Sequence, residues 1–260
     1  MKQLIAPIVS NVEVAQNTYL LRLRAPEIAA HAGPGQFVHV RCAPVGTALS
    51  PSWDPLLRRP LSVLRTRREA GEFEVLYDVV GRGTTILSGA RPGESLDVLG
   101  PLGRPFEVKA RTRHLLLVGG GVGVVPLVAL AEQALAGQRL VTLIAGFRTA
   151  AKVLPSGLLP PELEYVVATD DGSAGRPGLV TEAVGEYLSW ADQLFACGPL
   201  SMLKALARLP LPRSLPVQVS LEERMGCAMG VCLGCVVQTR RGLQRVCRDG
   251  PVFDLRELDW

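Results

Sequence analysis

The sequence predicts a multidomain α+β chain. It is read as an N-terminal antiparallel β-barrel, a central α/β doubly wound parallel sheet and a small C-terminal loop domain built on cysteines. Three observations carry this prediction. In the first hundred residues apolar and polar side chains alternate with period two between Gly- and Pro-rich turns, as half-buried strands do. After Pro105 continuous apolar runs alternate with helical stretches, which argues for a parallel sheet covered on both faces. Near the end, Cys227, Cys232, Cys235 and Cys247 stand in the spacing C-x4-C-x2-C-x11-C. The expected boundaries are 1–103, 104–220 and 221–260.

The bulk numbers fit this division. The chain has 260 residues, 48% hydrophobic and 20% charged, enough for two ordinary domains with their own cores. The net charge is +4, from 28 basic and 24 acidic residues that are well mixed. With no basic run or aromatic-studded basic face, nucleic acid is not an expected partner. The opening Met1-Lys-Gln-Leu-Ile-Ala-Pro7 lacks the apolar core and cleavage site of a signal peptide. Leu115 to Ala131 is uncharged, but Gly119, Gly120, Gly121, Gly123 and Pro126 interrupt it. It also falls short of the ~20 residues a membrane span needs. A soluble, cytoplasmic chain with no membrane partner is expected.

Barrel strands are read from Val12 to Leu23, at Phe37–Arg41, at Leu61–Leu64, at Phe73–Val79 and at Ser95–Leu99. Two places among them look chemical. In Arg58-Arg59-Pro60-Leu61-Ser62 a guanidinium precedes a rigid proline at the head of a strand. It can clamp a phosphate while Ser62 offers a hydroxyl, or the pair can be ordinary surface arginines. In Gly81-Arg82-Gly83-Thr84-Thr85 a Gly-x-Gly turn opens a short helix. That is an anion site made of free N–H groups, or simply a tight turn with a Thr cap.

In the central part, His114–Val118 reads as a strand buried on both faces that enters Gly119-Gly120-Gly121-Val-Gly123 and then a helix through Ala136. Pro126 fits the first turn of that helix. Further strands are expected at Leu140–Ala145, Tyr165–Thr169, Gln193–Cys197 and Val217–Ser220, with helices at Leu179–Ser189 and Leu200–Leu209. Ligands of such a sheet sit at the carboxyl ends of its strands. The glycine turn matches the dinucleotide fingerprint poorly, because the second strand ends in Gly146-Phe-Arg148 and no acidic residue closes it. Other strand ends supply Asp170 and Asp171, which can accept from ribose hydroxyls, and Cys197-Gly198-Pro199. Taken alone, Cys197 reads as a small buried strand-end residue. Arg148 can instead meet a 2′-phosphate, so NAD is favoured without being settled.

The cysteine spacing is the plant-type ligand arrangement of a [2Fe–2S] cluster. Gly226, Gly230 and Gly234 lie beside these cysteines, where a loop wrapping a cluster needs positions without a Cβ. A zinc site would more usually take two C-x2-C-like pairs, and only Cys232 and Cys235 make one. Disulfides need an oxidising compartment, for which nothing else in the chain argues. Ser220-Leu-Glu-Glu223 has the form of a helix capping box, which gives Glu223 a structural role. Glu222 beside it can approach a nicotinamide or flavin, or be merely solvated. The histidines, His31, His39 and His114, are solitary and read as structural.

Pro34-Gly-Gln-Phe-Val38, Arg59-Pro-Leu-Ser62, Gly81-Arg-Gly-Thr84 and Leu99-Gly-Pro-Leu-Gly103 follow one another as in the ferredoxin-NADP reductase superfamily. The resemblance implies FAD contacts from Arg59, Pro60, Leu61 and Ser62, from Leu76, Tyr77 and Asp78, and from Gly83 and Thr84. Asp78 departs from the pattern, since a carboxylate beside a flavin diphosphate would repel it. The superfamily further implies a nicotinamide nucleotide site at Gly119–Gly123, Thr169–Ser173 and Cys197-Gly198. Ser220–Met225, the four cysteines and Cys247–Phe253 narrow the match. They resemble the electron-transfer subunit of NAD-dependent dihydroorotate dehydrogenase over nearly the full length. This implies an FMN-containing dihydroorotate dehydrogenase catalytic partner, a heterotetramer with two of each subunit, and a relay from FMN through [2Fe–2S] and FAD to NAD+ in pyrimidine (UMP) biosynthesis. No acid–base catalytic residue is implied in this chain. The stretch 44–53 is expected to be a variable loop, and Cys42 has no functional counterpart. Two other readings keep most of these features: a reductase subunit serving a hydrogenase or ferredoxin, and a non-catalytic redox sensor. Some such reductases replace a cluster cysteine with aspartate, whereas this chain keeps all four.

Overall fold

The computed structural model describes residues 1–46 and 54–260, so most of the expected variable loop lies outside the described residues. The alternating run at 12–23 belongs to two strands, β1 (Lys2–Ala15) and β2 (Thr18–Arg24), joined by a turn in which Asn17 takes φ 54°. Asn tolerates that left-handed conformation because its short polar side chain can bond locally. A short helix α1 (Pro26–His31) follows, then β3 (Phe37–Val40), β4 (Arg59–Arg67) and β5 (Glu72–Asp78). Helix α2 (Arg82–Ser88) and β6 (Ser95–Leu102) complete a closed barrel in the order β1-β2-β5-β4-β3-β6, antiparallel throughout. Val38, Val40, Leu61, Val63, Phe73, Val75 and Tyr77 fill its interior.

The second half runs β7 (His114–Gly120), α3 (Val124–Ala136), β8 (Leu140–Phe147), β9 (Glu164–Thr169) and β10 (Arg176–Pro177). It continues with α4 (Val180–Ala183), β11 (Gln193–Cys197), α5 (Leu200–Ala207) and β12 (Val217–Ser220). The expected helix at 179–189 is only this one turn of α-helix followed by a 3-10 turn at Val184–Tyr187, and Gly185 in its middle is a poor helix former. No helix starts at Ser220. β12 ends there and residues 221–225 are irregular, so the expected capping box does not form.

Three strands close the chain: β13 (Val236–Thr239), β14 (Gly242–Arg245) and β15 (Val252–Asp254). β13 and β14 form a separate hairpin. β15, although it follows the last cysteine, pairs antiparallel with β12 and completes a sheet in the order β10-β9-β8-β7-β11-β12-β15. The five central strands are parallel. β7 lies between β8 and β11, so the direction of winding reverses there, which places the ligand crevice at the carboxyl ends of β7 and β11.

Helix α3 explains the uncharged run at 115–131. Val124 to Leu130 are buried almost without exception, because the helix packs on the sheet with one side and on the barrel with another. Leu20, Leu64 and Leu76 of the barrel's outer face share one apolar cluster with Leu127 and Val128. A charged seam runs alongside. Glu74, fully buried, meets Arg22 at 2.7 Å, Arg67 at 3.0 Å and Arg65 at 3.4 Å, and Arg65 also binds Glu132 of α3. A carboxylate so buried is tolerable only with paired, hydrogen-bonded charge around it.

Candidate functional site

Between the barrel and the strand ends of the parallel sheet lies a cleft of about 590 Å³, within the range of ligand pockets. Thr18, Leu76, Asp78 and Val80 line it from the barrel, and Gly120, Gly121, Arg148, Lys152 and Asp170 line it from the sheet. Glu222 closes one wall. It reaches solvent through the cleft yet is enclosed by protein on its other sides. That crowding, and then the nearby charge of Asp78, raise its carboxyl above the ordinary range.

On the barrel, strand alternation sorts the predicted contacts. Leu61 and Tyr77 point into the barrel core, where the Tyr77 hydroxyl donates to Asn11 Oδ1 at 3.1 Å and the ring stacks on Tyr19. Their backbones, rather than their side chains, are left for a ligand. Pro60 and Ser62 are half-buried and, two residues apart with the inward Leu61 between them, share the outer face. The fold brings Arg59 onto the Gly-x-Gly turn. A Cβ on Gly83 would lie 2.9 Å from Arg59 Nε, so the guanidinium rests on the start of α2 only because residue 83 is glycine. Thr84 is a cap: its Oγ1 accepts from the N–H groups of Val80 at 2.9 Å and Gly81 at 3.2 Å. Asp78 is spent elsewhere. Its carboxylate accepts from Thr18 Oγ1 at 2.5 Å and from Lys152 Nζ at 3.1 Å, pinning barrel to sheet across the cleft.

At the sheet, the predicted glycines pack strand ends together. A Cβ on Gly123 would lie 2.4 Å from the Cys197 carbonyl oxygen, one on Gly119 would lie 2.6 Å from Val124 Cγ1, and one on Gly120 would lie 2.7 Å from Met202 Sδ. Gly198 is equally tight, its Cβ position 3.0 Å from Gly120 N. Gly121 takes φ +54°, which suits glycine. Cys197 is buried; burial, then the charge of Glu222, push its thiol well up, while a hydrogen bond with Ser220 opposes them. It is no nucleophile at neutral pH. Of the two aspartates, Asp170 lines the cleft. Asp171 instead holds its own turn, accepting from Ser173 N at 3.0 Å and Ser173 Oγ at 2.5 Å. Thr18, Val80 and Lys152 were not foreseen, because each arrives from a segment remote from any motif.

The four cysteines lie in two pairs, Cys227 with Cys232 and Cys235 with Cys247. Cys235 and Cys247 are 3% and 2% exposed and pack in one core with Phe37 of the barrel, whereas Cys232 is exposed. Three backbone N–H groups, of Met229, Val231 and Cys232, donate to Cys227 Sγ at 3.4–3.5 Å. Burial pushes the Cys227 thiol up, but these donors outweigh it and bring it to about 6. Burial, then the hydrogen bond its thiol donates to Cys235, push Cys247 up to about 12. Four thiols in one loop, with N–H groups already aimed at the Cys227 sulfur, fit a binuclear iron–sulfur centre. Of the three glycines expected to shape this loop, only Gly230 has positive φ, at +81°; Ala228 and Leu233 adopt φ 57° themselves. A Cβ on Gly226 or Gly234 would have only the Cys232 sulfur near it, at 3.4 or 3.6 Å.

Comparison with known proteins places the chain among relatives of one family and fold. Residues 222–259 match the family model of the iron–sulfur cluster binding domain of dihydroorotate dehydrogenase B. The dihydroorotate dehydrogenase B (NAD(+)) electron transfer subunit of Desulforamulus reducens is 39% identical over 98% of this chain and 97% of its own length. That of a Geobacillus species is 42% identical over 99% of both. Among solved structures, the NADH-dependent reduced ferredoxin-NADP oxidoreductase superposes with TM-score 0.86 at 31% identity, over 99% of this chain and 90% of that one. The ferredoxin reductase of carbazole 1,9a-dioxygenase shares the fold, with TM-score 0.69 at 23% identity over 82% of this chain and 67% of that one. With full-length identity near 40% and the cysteine loop matched to its own family model, the chain belongs to the dihydroorotate dehydrogenase B (NAD(+)) electron transfer subunit family.

Proposed function

We propose that this chain carries electrons from the FMN of a dihydroorotate dehydrogenase catalytic subunit to NAD+, in pyrimidine (UMP) biosynthesis. The groups it would hold are a [2Fe–2S] cluster, on Cys227, Cys232, Cys235 and Cys247, and an FAD, along Arg59–Ser62, Leu76–Asp78 and Gly83–Thr84. Bound there, the cluster supplies one-electron transfer and the flavin converts two such electrons into a hydride for the nicotinamide. The observation that carries the reading is the split of the cysteine set. Cys232 is exposed and Cys227 half-buried, where a partner can reach them, whereas Cys235 and Cys247 are buried in one core with Phe37 of β3, the strand paired with the flavin run of β4.

The chain's own residues then have separate tasks. Arg59, seated on Gly83, presents a fixed guanidinium to a diphosphate. Gly120, Gly121 and Gly198 let a dinucleotide approach backbone closely at the strand ends, and Asp170 accepts from ribose hydroxyls, which favours NAD over NADP. The surface beside Cys232 is apolar: its chain neighbours Val231 and Leu233 are 76% and 59% exposed. A partner seated there would exclude water from the electron path. Assembly as a heterotetramer, two of each subunit, in the cytoplasm completes the proposal; no helix among the described residues is long and apolar enough to cross a membrane.

The test is NADH formation from dihydroorotate and NAD+ without oxygen, using the FAD- and iron-loaded chain mixed with the FMN-containing subunit. NADH appearing only with both proteins supports the reading. The 31% identity to a ferredoxin-NADP oxidoreductase favours a second reading, a reductase that serves ferredoxin. Failure of the first assay together with rapid NADH-driven ferredoxin reduction would select it.

A further inference from the structure

Two of the three buried side-chain nitrogen or oxygen atoms left without a hydrogen bond among the described residues belong to one ring, Nδ1 and Nε2 of His39. His39 is 1% exposed. It lies in β3 opposite Pro60 of the flavin run. Its neighbours Val38 and Val40 fill the barrel, so by strand alternation His39 shares the outer face with Phe37. Phe37 packs with Met225, Ala228, Cys235 and Cys247 of the cysteine loop. The polar groups facing the ring are the backbones of Arg58, beside the flavin run, and Met225, two residues before the first cysteine.

A neutral imidazole carries one N–H donor, and burial with the charges of Arg58 and Arg59 keeps this ring neutral. The Arg58 carbonyl already accepts from the Arg59 guanidinium. Of the two carbonyls, that of Met225 has no other donor among the described residues. An unmade hydrogen bond at so buried a ring is costly, whereas a leucine would fill the space without that penalty. We infer that His39 is a positioning residue of the electron relay: its N–H is given to the Met225 carbonyl in the loaded protein and fixes the cysteine loop against the flavin-bearing strand. This rests on the flavin and cluster assignments proposed above.

The test compares loaded wild type, His39→Leu and His39→Gln, the last retaining a donor. NADH-to-dye reduction, which bypasses the cluster, reports the flavin half. Bleaching of the cluster by NADH in a stopped-flow cell reports the relay, and thermal unfolding reports the fold. For His39→Leu we expect cluster bleaching slowed by on the order of tenfold, the effect of about one hydrogen bond on a rate. The cluster's midpoint potential should shift, and His39→Gln should recover most of both. Wild-type bleaching rates and potential in His39→Leu, with equal or higher thermal stability, overturn the inference and leave His39 a buried ring only. If His39→Leu does not fold, a bleaching rate in His39→Gln below half the wild-type value, or no higher than in the shorter His39→Asn, overturns it likewise. A wild-type protein that binds no FAD or shows no NADH-driven bleaching sinks the underlying assignment instead, which separates the two failures.

Discussion

Replacing Gly83 by alanine should weaken FAD binding while leaving the fold intact. The new Cβ would stand 2.9 Å from Arg59 Nε and 3.1 Å from Cζ and the terminal nitrogen, too close for any of them. These atoms end a flexible side chain, so the guanidinium swings away and the backbone stays. Alanine in a helix is worth about 0.5–1 kcal/mol over glycine, so stability holds or rises slightly. What is lost is a pre-set hydrogen bond to a charged group, about 1.5–3 kcal/mol, or roughly 10- to 150-fold in Kd. Fluorescence titration of flavin-stripped protein with FAD measures it. Gly81→Ala is the matched control: nothing lies within 4 Å of its Cβ position, and its φ of 175° is extended backbone open to any residue. Unchanged FAD affinity in Gly83→Ala, or equal loss in Gly81→Ala, would refute the reasoning that Arg59 is seated on Gly83 to hold the flavin.

Other expectations follow from the same structure. Glu74→Gln removes the buried carboxylate that Arg22, Arg65 and Arg67 share; a loss of about 3–5 kcal/mol, roughly 6–20 °C in Tm at ~2–4 °C per kcal/mol, should appear in a thermal scan. Gly123→Ala places a Cβ 2.4 Å from the Cys197 carbonyl oxygen, which only backbone movement relieves. At about 1–3 kcal/mol of overpacking, NADH-to-dye turnover should fall while bound FAD remains. Val231→Asp charges a side chain that is 76% exposed beside Cys232; dihydroorotate-linked NADH formation should drop with dye reduction unaltered. His39 is lowered from 6.5 to about 4, by burial first and then by Arg58 and Arg59. The unfolded chain therefore takes up a proton that the folded one refuses. Stability is full above pH 6.5 and falls by about 3 kcal/mol as pH drops toward 4; denaturation midpoints across that range should show it, and His39→Leu should lack it.

The barrel, the parallel sheet and the cysteine loop were legible because each rests on a local signal: period two, buried apolar runs, and fixed spacing of one residue type. The elements that escaped notice depend on distant partners. β15 exists as a strand only because β12 offers it an edge, and nothing in Val252–Asp254 announces this. At Ser220–Glu223 the opposite holds: the local capping pattern is overruled because Ser220 ends a buried strand and bonds to Cys197. Site residues divide in the same way. Gly83 and Gly123 carry sequence signatures, yet the contacts that give them meaning, with Arg59 and Cys197, come from 24 and 74 residues away. Lys152 has no signature at all. It enters the cleft because Asp78 and Thr18 of the barrel hold it there.

The order of the proposed relay can be argued from strand order alone. Around the barrel β4 lies between β5 and β3. β5 ends in Leu76 and Asp78, which line the cleft at the sheet's strand ends. β3 turns Phe37 into the core that also holds Cys235 and Cys247. The strand bearing Arg59, Pro60 and Ser62 therefore has the nucleotide cleft on one side and the buried cysteine pair on the other. A planar group laid along β4 would meet the nicotinamide side and the iron–sulfur side without either of those two having to meet the other. That separation is what a converter between single electrons and hydride requires: the cluster kept from direct contact with the nicotinamide, and the flavin in reach of both. The barrel order supplies it before any cofactor is bound.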